Sequence, residues 1–272
     1  MKKLAEKKHI ILQAVLVICI LAVVIFAGLL VRELLINQQS QSFYTGLLSD
    51  IETYPRSGQD DGSSGSGQGS GSNDHGLHGG PGNLQEEWQP YVDFDELNER
   101  FPGIVAWIKS PNGEIDYPVM QYSNNTYFLG RLPDGKSHRS GSIFMDYRNN
   151  SDFSDRSILI YGHESQEREM FGSLKNYRRQ AYFAENPVIH LYTPFADHEI
   201  VIFAVHLAHS EKDYPPIRFA SDDAFLEYIK HIRSVSLINS DVIVSADDQI
   251  VSLCTCAYDF DEARLVVVGV IR

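Results

Sequence analysis

Three side chains in this sequence have the types and surroundings that thiol chemistry needs. Cys256 closes the run Ile250-Val-Ser-Leu-Cys-Thr-Cys, which reads as a buried strand leading into the turn-like Tyr258-Asp-Phe-Asp-Glu. A thiol at a strand's end is held rigidly from one side and open to approach from the other, and its thiolate is the nucleophilic form. His163 follows the strand-like Ile158-Leu-Ile-Tyr in Tyr161-Gly-His-Glu, where glycine admits a close backbone approach. An imidazole placed there can take up and release a proton near neutral pH. Arg264 opens the apolar run Arg-Leu-Val-Val-Val-Gly-Val-Ile, eight residues after Cys256. A fixed guanidinium beside a thiolate could donate to the oxyanion that forms when the sulfur attacks a carbonyl. Each residue also has a plainer reading. Cys256 could pack as a small apolar side chain, His163 could be structural, and Arg264 could cap a sheet edge or pair with Asp259 or Asp261.

The other cysteines and histidines offer less. The chain has three cysteines, and Cys19 sits inside a long apolar run. Cys254 lies two residues before Cys256, and residues two apart on a strand are about 6.6 Å apart with parallel side chains, which disfavours a disulfide between them. Burial suits Cys254, since free cysteine is among the most buried residue types. Free thiols outside the membrane, where thiols tend to oxidise, suggest a chemical role for at least one of them. His206 and His209 have odd spacing on one expected strand and so face opposite ways, which makes them poor chelators. His75 and His78 lie in a segment too loose to form a metal site.

The elements that hold these residues follow a membrane segment. Residues 10–31 form an apolar run broken only by Gln13, long enough as a helix to cross the roughly 30 Å hydrocarbon layer. A cleaved signal would have a shorter apolar core, so the run is expected to be a retained anchor. Lys2, Lys3, Lys7 and Lys8 precede it and place residues 1–9 in the cytoplasm. Residues 32–55 continue as a helical juxtamembrane segment. Residues 56–85 are Gly/Ser-rich and almost free of apolar side chains, a flexible tether spanning roughly 30 Å. Residues 86–272 have globular composition and form the extracytoplasmic domain. With 36 acidic against 23 basic residues the formal net charge is -13, which repels a phosphate backbone and argues against nucleic acid as a partner.

Within the domain, strands dominate. They are predicted at residues 104–109 and 115–122, joined by the turn signal Pro111-Asn-Gly113, and at 141–146, 157–161, 188–192, 199–208, 242–245, 250–254 and 264–271. Helical patterning is confined to 94–101, 125–131, 170–179 and 222–235, the last with Phe225, Ile229 and Ile232 at helical spacing. Many short strands with a few inserted helices predict a mainly β fold, a closed or nearly closed β-barrel, preceded by the transmembrane helix.

Ser252-Leu-Cys-Thr-Cys256 resembles the sortase signature Thr-Leu-X-Thr-Cys, with serine in the first place, and Tyr161-Gly-His163 resembles that family's histidine segment. Gly141-Ser-Ile-Phe-Met-Asp-Tyr-Arg-Asn149, Met170-Phe-Gly-Ser-Leu174 and Ile238-Asn-Ser-Asp-Val242 resemble class B sortases in particular. The resemblance runs from Glu86 to Arg272. It implies a membrane-anchored cysteine transpeptidase with a sortase-like barrel and neither cofactor nor metal. Its partners would be secreted proteins bearing a C-terminal sorting motif, cleaved at a Thr-Gly or Thr-Asn bond, and an amine from peptidoglycan or from a pilin lysine. A helix before the cysteine strand, as class B members carry, is matched by residues 222–235. The resemblance makes Cys256 the nucleophile, His163 the acid and base, and Arg264 the oxyanion donor. By position it adds Asn125, Leu129, Tyr161, Ser210, Tyr214 and Cys254 as residues of the substrate groove. Pro215, Pro216 and the short interval between Cys256 and Arg264 depart from the usual pattern.

Overall fold

The computed structural model describes residues 2–52, 92–164, 169–209, 214–256 and 263–272. Eight strands close a barrel. They are β1 (Ile104–Lys109), β2 (Asp116–Met120), β3 (Ile143–Met145), β4 (Ser157–Tyr161), β5 (Val188–Tyr192), β6 (Asp197–His209), β7 (Ile250–Cys256) and β8 (Ala263–Ile271). Around the barrel the order is β1-β2-β3-β4-β7-β8-β6-β5, and β5 pairs with β1 to complete the ring. The predicted first hairpin forms: Gly113 takes a positive φ of 73° and its amide donates to the Ser110 carbonyl at 2.9 Å.

One stretch of this topology decides where chemistry can occur. Strand β7 lies between β4, to which it runs parallel, and β8, to which it runs antiparallel. Tyr161 at the end of β4 is in register with Cys254, and Cys256 at the end of β7 with Arg264 near the start of β8. The C-terminal ends of β4 and β7 and the N-terminal end of β8 therefore meet at one rim of the barrel. Residue 163, two positions past β4, is thereby brought to the rim that holds residues 256 and 264, which lie about ninety or more positions later in the sequence.

Alternation along these strands separates two apolar layers. Ile158, Ile160, Val251, Leu253, Leu265 and Val267 belong to the main core, whereas Leu159, Ile250, Cys254, Val266 and Val268 belong to a second cluster with Phe203. Helix α4 (Asp222–Ser234) covers that second cluster with Phe225, Ile229 and Ile232, each worth roughly 1.5–3 kcal/mol when fully buried. The predicted helical spacing at 222–235 is thus met. Its first turn is capped by Ser221, whose side chain accepts from the Ala224 amide at 3.2 Å, with Asp222 and Asp223 complementing the helix dipole.

Three local expectations are corrected. Residues 242–245 form no strand, because the Ser240 and Val242 carbonyls accept from Arg233 and the Ile243 carbonyl accepts from Arg272 at 3.0 Å, so side chains replace a ladder. At 125–131 only a single 3-10 turn, Phe128–Gly130, is regular, since Asn124 caps the Thr126 and Tyr127 amides and diverts the chain into turns. The segment 170–179 is likewise a 3-10 helix, Gly172–Arg178, and is followed by α3 (Gln180–Glu185), while α2 spans Phe94–Arg100.

Helix α1 runs without a break from Lys2 to Glu52. Its apolar part has a mean hydropathy of 3.0, and residues 15–31 expose their side chains. The last four turns behave differently: Ser40, Tyr44 and Leu47 are buried against the barrel domain. A tether is expected to hold the domain away from the anchor, yet the helix reaches the domain before the Gly/Ser segment begins. That segment, 56–85, lies outside the described residues.

Candidate active site

A cavity of about 250 Å³ opens at the rim where β4, β7 and β8 meet. Its lining includes Asn125, Leu129, Tyr161, His163, Tyr214, Cys254, Thr255 and Arg264. Seven residues singled out from the sequence therefore share one cavity. Ser210 lies outside the described residues. Of Cys256 the strand backbone is described, and it ends β7 two residues beyond Cys254.

His163 is fixed from both sides. Its Nε2 lies 2.6 Å from the Leu129 carbonyl, and a carbonyl only accepts, so this nitrogen carries a proton. The His163 carbonyl in turn accepts from the Phe171 amide at 3.1 Å. Both neighbours depend on glycine. A Cβ at Gly162 would come within 2.7 Å of the Phe171 ring, and one at Gly141, where φ is +57°, would come within 2.5 Å of the Leu129 carbonyl oxygen.

Arg264 is half-buried, and one of its terminal nitrogens donates to the Ala263 carbonyl at 3.0 Å. That bond holds the guanidinium close to its own strand while the group still lines the cavity. Beside it, Cys254 is fully buried, and burial pushes its thiol well above the usual range, an effect the Arg264 charge opposes without cancelling. Cys254 is consequently a thiol, not a thiolate, at neutral pH.

The cavity is organised by a residue that the sequence alone did not single out as functional. Asp146, just past β3, has a fully buried side chain. Its Oδ2 accepts from the Tyr161 hydroxyl at 2.7 Å, Asn125 Nδ2 at 3.0 Å and Arg148 at 2.8 Å, and its Oδ1 accepts from the Arg148 amide at 2.9 Å. Burial alone would raise its pKa, but the Arg148 side chain and amide, with Tyr161 and Asn125, outweigh burial and hold it below the usual carboxylate range. Burial foremost, then Tyr214 and Cys254, raises the Tyr161 phenol, so it remains a donor. The Tyr161 and Tyr214 rings stack with centroids 6.1 Å apart. A signal for Asp146 existed: it is a lone carboxylate at the end of an apolar strand, inside the Gly141–Asn149 segment.

No protein-family model matches the chain. It is, however, 32% identical over 179 residues to the sortase B of Listeria monocytogenes, an alignment that covers 65% of this chain and 72% of that one. This chain belongs to the sortase B family. The fold agrees with the sequence: a Staphylococcus aureus sortase B–substrate complex superposes with a TM-score of 0.63 at 29% identity, covering 66% of this chain and 84% of the other. A sortase B complexed with triglycine gives a TM-score of 0.63 at 30% identity, over 66% and 85% of the two chains. Membership makes the protein a sortase-type transpeptidase with the closed barrel of that family.

Proposed function

We propose that this sortase B cleaves a C-terminal sorting signal on secreted proteins at a Thr-Gly or Thr-Asn bond and joins the new carboxyl end to a peptidoglycan amine. The observation that carries the proposal is the register pair of Cys256 and Arg264 at the rim of a cavity also lined by His163.

In this reading the Cys256 thiolate attacks the scissile carbonyl, and a carbon–sulfur bond forms as Arg264 donates to the oxyanion. Collapse of the adduct breaks the carbon–nitrogen bond, and the leaving amine takes a proton from His163. An incoming amine then attacks the thioester and gives a proton back to His163 as the thiolate departs. Asn125, Leu129, Tyr161, Tyr214 and Ser210 bind the peptide, with Cys254 beneath it as a packing residue. The relative solved with a substrate supports a peptide in this groove, and the one solved with triglycine supports an oligoglycine-like acceptor. Helix α1 anchors the enzyme by its apolar part, with the barrel on the outer face of the membrane.

The test uses the full chain in detergent and a library of Asn-Pro-type pentapeptides. Cleavage without triglycine would yield hydrolysis product, and added triglycine should divert product to the ligated peptide. Cys256→Ala should abolish both, and hydrolysis that triglycine leaves undiverted would make the protein a peptidase instead.

A further inference from the structure

We propose that the C-terminal part of α1, from Glu33 onward, is part of the catalytic unit, clamping the two segments that hold His163, with Tyr44 as a positioning residue. This rests on the transpeptidase reading only for the role of His163; the clamp itself is a matter of contacts.

The helix carries a stripe at Glu33, Ile36, Ser40, Phe43, Tyr44 and Leu47, spaced for one helical face. Its contacts fall into two groups. The first is with residues 138–141. The Ile36 carbonyl accepts from His138 Nε2 at 3.0 Å, Glu33 forms an ion pair with Arg139, and the Tyr44 hydroxyl reaches the Gly141 carbonyl at 3.5 Å. This segment folds back on the turn that carries Leu129: the His138 amide donates to the Gly130 carbonyl at 3.0 Å and the Ser142 amide to the Phe128 carbonyl at 2.9 Å. The Leu129 carbonyl is the group that holds the His163 imidazole.

The second group leads to the other side of His163. The Tyr44 ring meets Tyr117 edge to face, with centroids 5.0 Å apart, and the Tyr117 hydroxyl bonds the Met170 backbone. Phe171, the next residue, donates its amide to the His163 carbonyl. Ser140 Oγ lies 3.3 Å from Glu169 Oε2 and so ties the two segments together. Tyr44 thus reaches the first arm directly and the second through Tyr117. Meanwhile Phe43 secures the helix against Phe101, with ring centroids 5.5 Å apart. Because contact begins at Glu33, two residues past the apolar run 10–31, the clamp also seats the barrel directly at the membrane surface.

The full chain in lipid nanodiscs tests this through kcat and KM for peptide-to-triglycine transfer and through hydrogen exchange at residues 162–172. Tyr44→Ala should lower kcat about tenfold through displacement of His163, with KM within about twofold, and should speed exchange at the Phe171 amide. Tyr44→Phe keeps the ring contact with Tyr117 and gives up only the 3.5 Å hydroxyl contact with Gly141, so it should recover most of both, and Phe43→Ala should give a milder version of the Tyr44→Ala result with the melting temperature of the barrel unchanged. Wild-type kcat and unchanged exchange in both alanine variants would overturn the clamp, as would loss of activity in Tyr44→Ala that Tyr44→Phe fails to recover. An inactive wild-type chain would count against the transpeptidase reading, and exchange would still decide the clamp.

Discussion

Cys256 and Arg264 stand opposite each other across the antiparallel ladder of β7 and β8, a relation that brings Cα atoms to within about 4.5–5.5 Å. The Arg264 backbone therefore belongs to the same sheet as Cys256, its place set by the hydrogen bonds of the ladder. Arg264→Ala should lower kcat/KM by about 10²–10³-fold, the usual effect of removing an oxyanion donor. Arg264→Lys should recover little of this, because one ammonium cannot reproduce a planar fork of donors. Steady-state transfer kinetics with a fixed peptide would show a problem with this role if the lysine variant were nearly as active as wild type.

Gly141 supports His163 at one remove. A Cβ there meets the Leu129 carbonyl and sits on a positive φ. Gly141→Ala should therefore cost about 1–3 kcal/mol of stability and depress kcat as the Leu129 carbonyl shifts. Denaturant melts and turnover measured on the same preparation check both parts; a variant with unchanged kcat would show that the His163–Leu129 contact is dispensable.

Asp146 should matter twice. Asp146→Ala strips partners from Tyr161, Asn125 and Arg148, so a loss of about 1–3 kcal/mol is expected together with a raised KM as the cavity wall loosens. Its pH signature has a definite sign. The folded carboxyl lies below its ordinary value, so the stabilisation it gives is present above the unfolded pKa near about 4 and is lost as pH falls through the lower folded value. Thermal melts of wild type and Asp146→Asn should differ at pH 6 and converge in the acid range below about pH 4. A gap that widened on acidification would contradict this.

The two cysteines of β7 should behave oppositely. Burial keeps Cys254 protonated, so a charged thiol reagent should leave it unmodified at neutral pH while labelling Cys256, as peptide mapping would reveal. Cys254→Ala should retain most activity and lose about 1–2 kcal/mol of packing.

Much of this was legible beforehand because strand periodicity survives in the sequence. The boundaries of β1, β4 and β5 were met to the residue, since each is an apolar run flanked by turn formers. The convergence of residues 163, 256 and 264 was not derivable from periodicity, which fixes faces but not register; it needed the resemblance, and the structure supplies the register as its cause. Asp146 escaped because a carboxylate at a strand end reads as a solvated terminus until its donors, drawn from residues 125, 148 and 161, are brought around it. The docked face of α1 escaped for a related reason. Its Ser40, Tyr44 and Leu47 stripe is short and follows a far stronger apolar signal, and which surface it covers depends on contacts far along the chain.

The most direct measurement is intact mass analysis of the full chain mixed with a cleavable sorting peptide in the absence of an acceptor amine. An adduct equal to the N-terminal acyl fragment, mapped to Cys256, lost on adding triglycine with release of ligated peptide, and absent in Cys256→Ala is the expected result. Peptide cleavage that continues in Cys256→Ala, or an adduct on any other residue, would contradict nucleophilic catalysis by Cys256.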